Sequence, residues 1–73
     1  MSLARAYTPA DALADHPQTV ERVARMWAAD RTLRDLRAYL SRCQVHQLCE
    51  RAAIAAAAGL PEETVKALSD ERA

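Results

Sequence analysis

Seven apolar residues, Ala52 to Ala58, lead directly into Gly59, the only glycine in the chain. Alanine has the highest helix propensity, and glycine is the commonest residue just past a helix end. Leu60-Pro61 follows, and proline is tolerated in the first turn of a helix but not in its interior. One helix must therefore stop at Gly59 and another start near Pro61. The rest of the chain has the same character. Seventeen of its 73 residues are alanine, there is no phenylalanine, and β-branched residues do not cluster. No segment of useful length alternates with period two, so no strand is predicted. These features predict an all-α fold, a compact bundle of four to five short helices in one domain spanning residues 1–73.

The helix boundaries are partly written in the caps. Thr8-Pro9-Ala10-Asp11 opens a short first helix, with Thr8 as cap and Leu13 as its one large apolar residue. His16-Pro17 ends it, because the residue before proline avoids the helical region. Val20, Val23, Ala24 and Trp27 then form one apolar stripe of a second helix reaching Ala29, with Trp27 as a core anchor. Asp30 is expected to cap a third helix from about Arg31 to Arg42. Leu33, Leu36, Leu40 and Cys43 share its inner face, and Arg31, Arg34 and Arg42 lie opposite, with Asp35 among them. That outer face reads either as a solvated charged surface or as a basic patch for phosphate or an acidic partner. The period slips near Gln44 and resumes between Val45 and Leu48. Alanine buries little area, so the core is thin, and a chain this short gains only about 3–5 kcal/mol from its core.

The segment from Arg51 to Asp70 resembles the helix-turn-helix family. Gly59 supplies the left-handed turn residue and Ala55 the small residue where two helices approach. Ile54, Ala58, Leu60, Val65 and Leu68 fall where that family points apolar side chains inward, and Pro61, Glu62 and Glu63 suit the start of its second helix. The resemblance implies that this second helix is the one presented to a partner, through Glu62, Glu63, Lys66 and Asp70. In DNA-binding members it enters the major groove.

Charge argues against that use here. The formal net charge is zero, whereas nucleic-acid binders carry a basic excess. From Arg31 to Ala58, five arginines oppose Asp35 and Glu50, a balance of plus three; from Gly59 to Ala73, Lys66 and Arg72 oppose four acids, a balance of minus two. A polarised molecule of this kind suits a charged protein surface better than a polyphosphate.

Little in the sequence suggests catalysis. There is no glycine-rich phosphate loop, only two histidines are present, and helix capping accounts for Asp11 and Asp15. Cys43, His46 and Cys49 are zinc-binding residue types, but on one continuous helix the outer two are about 9 Å apart. The same spacing disfavours a disulfide. They are read instead as two small buried cysteines flanking a surface histidine, with no metal and no cofactor. Two thiols without a secretory signal, and no apolar run near 20 residues, predict a cytoplasmic protein.

The expected function is thus a non-enzymatic, transcription-associated regulator acting through protein binding at Arg31, Arg34, Arg42, Glu62, Glu63, Lys66 and Asp70. In size and architecture alone the chain is similar to small bacteriophage proteins that bind host RNA polymerase, which implies RNA polymerase or an initiation factor as the partner. The alternative is a dimeric DNA-binding helix-turn-helix repressor, and a second copy of the chain is a further partner to consider.

Overall fold

The computed structural model describes residues 6–70. It contains five helices: α1 (Pro9–Asp15), α2 (Pro17–Ala29), α3 (Leu33–Arg42), α4 (Leu48–Ala57) and α5 (Glu62–Ser69). No strand occurs among the described residues, so the fold is all-α as expected.

Helix α1 starts on a reciprocal cap. The Thr8 hydroxyl accepts from the Asp11 N–H at 3.1 Å, and the Asp11 carboxylate accepts from the Thr8 N–H at 3.0 Å. Its buried residue is Ala12, not Leu13, which is 53% exposed. The small side chain faces inward because α1 packs on the alanine-rich α4, where two helices approach through small residues. Tyr7 ties the chain entering α1 to the helix end, its hydroxyl donating to Asp15 at 2.9 Å.

Partial burial first, then the bond to Asp15 and its charge, push the Tyr7 hydroxyl from 10.0 up to about 12. The folded protein keeps this proton between pH 10 and 12 while the unfolded chain has lost it. The contribution of Tyr7 to stability is therefore complete below pH 10 and fades as the pH rises through 12. Ultraviolet titration of tyrosinate should find Tyr7 ionising late, and Asp15→Asn should bring its hydroxyl back toward 10 while leaving Tyr39 unchanged.

Helix α2 begins immediately after His16. The His16 ring nitrogen Nε2 lies 3.4 Å from the Glu50 carboxylate on α4, fastening the α1–α2 corner to the centre of the molecule. Val20 and Val23 are buried. Trp27 is only half-buried, with one part on the core and Arg31 over its ring. Asp30 does not cap α3. It ends α2, and its carboxylate accepts from the Thr32 hydroxyl at 2.7 Å, so α3 starts two residues later than Arg31, at Leu33.

Helices α3 and α4 are separate, and the chain turns between them as it does between α4 and α5. After α4, Gly59 adopts φ +84°; its N–H donates to the Ala56 carbonyl at 3.0 Å, and the Leu60 N–H to the Ala55 carbonyl at 3.1 Å. After α3, Gln44 adopts φ +64°; its N–H donates to the Ser41 carbonyl at 2.9 Å, and the Val45 N–H to the Leu40 carbonyl at 2.8 Å. Both are Schellman turns with a buried apolar residue, Leu60 or Val45, just beyond the left-handed position.

The two turns make opposite predictions. Gln44→Gly should raise stability by about 0.5–1 kcal/mol, since a side chain in this region is strained and glycine is not. Gly59→Ala should cost about 1 kcal/mol through the backbone alone, because a Cβ there meets nothing within 4 Å. Chemical denaturation of both variants measures the pair.

Helix α4 is the hub, packed against α1, α2 and α5. Ala53, Ile54 and Ala55 are buried, and α5 adds Thr64 and Leu68. Ala58 and Val65 pack against the same core. The alanines thus serve close packing within the molecule, and Ala56 is the one residue of the Ala52–Ala58 run that is exposed. Arg51 on α4 is 3% exposed, its Nε donating to the Val45 carbonyl at 2.9 Å and its terminal nitrogen to the Ser41 hydroxyl at 3.0 Å. One buried guanidinium thereby pins the α3–α4 turn at both ends.

Candidate interaction surface

The residues expected to meet a partner are all exposed: Arg31, Arg34 and Arg42 on or just before α3, and Glu62, Glu63, Lys66 and Asp70 on or just after α5. They occupy distinct surroundings. The Arg31 guanidinium sits 5.8 Å from the Trp27 ring centre, and that of Arg42 sits 6.0 Å from the Tyr39 ring centre. Such stacking holds a long cationic side chain in place without neutralising it. Arg37 leaves the basic face. It turns toward α5, donating to the Ala67 carbonyl at 3.1 Å, with its Nε buried and unpartnered.

Two recesses carry part of the exposed charge. One, of about 380 Å³, lies between α2 and α3 and is lined by Gln18, Glu21, Arg22, Arg25, Tyr39 and Arg42. The other, of about 370 Å³, is formed by Pro61, Glu62, Glu63 and Lys66. They share no lining residue, so Arg42 and the start of α5 belong to separate sites.

Arg22 and Arg25 are the contributors that sequence reasoning missed. A signal was present: Gln18, Arg22 and Arg25 recur at helical spacing on the side of α2 away from Val20 and Val23. Arg25 pairs with Glu21 at 2.9 Å, both side chains about two-thirds exposed at 69% and 65%. An exposed pair of this kind contributes about 0–1 kcal/mol and opens readily. Arg22 forms no ion pair among the described residues. Tyr39 forms the floor. Burial, followed by the hydrogen bond and charge of Cys43, raises its hydroxyl above the ordinary range, against the opposing pull of Arg22 and of a bond to Thr19.

The cysteines correct an expectation. Cys43 and Cys49 are exposed rather than buried, and both are free thiols. Cys43 follows the last turn of α3 and Cys49 lies in the first turn of α4, so neither reaches the core. His46 is exposed, as expected. No cluster of three or more His, Cys, Asp or Glu side chains able to hold a metal occurs among the described residues. Nor does any described helix have the length and apolarity to cross a membrane.

The fold therefore defines a small all-α protein with a basic cleft between α2 and α3 and a mostly acidic recess at the start of α5. Compared with protein-family models, curated proteins and solved structures, the chain matches none.

Proposed function

We propose that this chain is a small non-enzymatic regulator that acts by docking on a larger protein. The carrying observation is the segregation of its exposed charge. Arg22, Arg25, Arg31, Arg34 and Arg42 stand on or beside α2 and α3, against Glu21, Asp30 and Asp35, while Glu62, Glu63 and Asp70 on the α5 side face a single Lys66. Complementary surfaces of both signs fix orientation on a protein partner and speed the encounter. A duplex presents one sign only, and the acidic helix would be repelled by it.

RNA polymerase or an initiation factor is the partner that the chain's size and architecture suggest. Size-exclusion chromatography with purified bacterial core enzyme, holoenzyme and initiation factor tests this directly. The expected result is co-elution with one of them at low salt, lost as salt rises. Absence of co-elution with all three would contradict the transcription assignment.

A further inference from the structure

We propose that the cleft between α2 and α3 is a receptor for the paired carboxylates of an acidic peptide segment, gripped by Arg22 and Arg42. This rests on the protein-docking reading above and names the chemistry of the partner at one site.

The charges come first. Of the three arginines in the cleft, Arg25 is satisfied by Glu21 at 2.9 Å, which cancels one charge of each sign. Arg22 and Arg42 remain, a net of plus two in one recess. Guanidinium is a rigid fork whose parallel N–H groups match a carboxylate. Arg42 is already oriented by the Tyr39 ring. Gln18 adds a neutral donor at the wall. At about 380 Å³ the space is at the small end of ligand pockets, a volume suited to side chains rather than to a large cofactor.

The aromatic ring decides against nucleic acid. Single strands are held by bases stacking on open aromatic faces. Tyr39 is the only aromatic residue in this cleft. It packs against the core and has Arg42 6.0 Å from its ring centre, so the cleft offers no row of open aromatic faces for successive bases.

The test is fluorescence anisotropy with the full chain and a labelled hexaglutamate peptide. Hexalysine, inorganic phosphate as competitor and labelled single-stranded DNA provide the comparisons. Saturable binding of hexaglutamate is expected at low salt, weakening as salt rises. Arg22→Gln and Arg42→Gln should each weaken it by roughly tenfold, the size of one lost charge-assisted contact. Arg42→Lys, which keeps the charge and loses the fork, should fall between wild type and Arg42→Gln. Thermal melting of Arg22→Gln should match the wild type, and Arg42→Gln, which loses its contact with the Tyr39 ring, should melt only a few degrees lower and remain folded at the binding temperature.

Failure of hexaglutamate to bind, or binding unaffected by Arg22→Gln and Arg42→Gln, would overturn the proposal. So would preferential binding of the DNA strand, or displacement of the peptide by phosphate at equal concentration. Peptide binding without any polymerase complex supports the cleft and counts against the transcription assignment alone. A polymerase complex without peptide binding does the reverse.

Discussion

Truncating Ile54 to alanine should destabilise the protein by about 4 kcal/mol, within the range for a fully buried aliphatic side chain. Ile54 is completely buried on α4, the helix that α1, α2 and α5 all touch. Its buried apolar neighbours along that helix are Ala53 and Ala55, and Leu48, at the helix start, is 38% exposed. No larger side chain of α4 is therefore placed to fill the space, and the cavity term stays close to its maximum. A chain this short has about 3–5 kcal/mol to lose, so Ile54→Ala should be largely unfolded at room temperature. Urea denaturation followed by circular dichroism, in the Gln44→Gly background if needed, measures the loss. A cost below about 1.5 kcal/mol, the range of conservative core swaps, would mean that α4 is not the hub.

The second large effect falls on a charged residue. Replacing Arg51 with methionine should cost about 3 kcal/mol, because a buried carbonyl and a hydroxyl lose a charged donor. Methionine keeps much of the hydrocarbon volume, so the loss reports the polar contacts of the guanidinium, those to Val45 and Ser41 among them, rather than a void. Ser41→Ala removes only one of these partners and should cost about 1 kcal/mol. Amide hydrogen exchange offers a second readout. Protection at Gln44 and Val45, whose N–H groups close the turn after α3, should fall in Arg51→Met well before protection in α2. Equal costs for Arg51→Met and Ser41→Ala would show that the Val45 bond contributes little.

Most of the fold was legible because its boundaries carry chemical signatures. Thr8-Pro9 and His16-Pro17 mark α1 and the start of α2, and the alanine run ending at Gly59 marks α4 and its turn. Other features had no such signature. Gln44 occupies a left-handed position usually taken by glycine or asparagine, so the turn after α3 appears in the sequence only as a slip of period. Arg51 was counted with the surface charge, since nothing local distinguishes an arginine that folds back six residues to a carbonyl. That Ala12 rather than the larger Leu13 is buried has no local signature either, because it depends on how closely α1 approaches α4.

The exposure of the candidate surface residues is legible for the same reason. Periodicity places Arg34 and Arg42 on the outer face of α3 with Arg31 just before it, all three exposed, and the turn at Gly59 marks the start of α5 with its exposed acids. The cleft depends on how α2 lies across α3, which no pattern within one helix records. That is why the helical spacing of Arg22 and Arg25 marks an outer face of α2 but not a cleft shared with Arg42.

The central claim is that this charged exterior serves a protein and not a nucleic acid. Equilibrium anisotropy of the labelled chain with duplex DNA at low salt tests it most directly. The prediction is no binding at micromolar protein, for random duplex and for any candidate operator. Tight binding to one operator, abolished by Glu62→Ala, Glu63→Ala or Lys66→Ala, would contradict it.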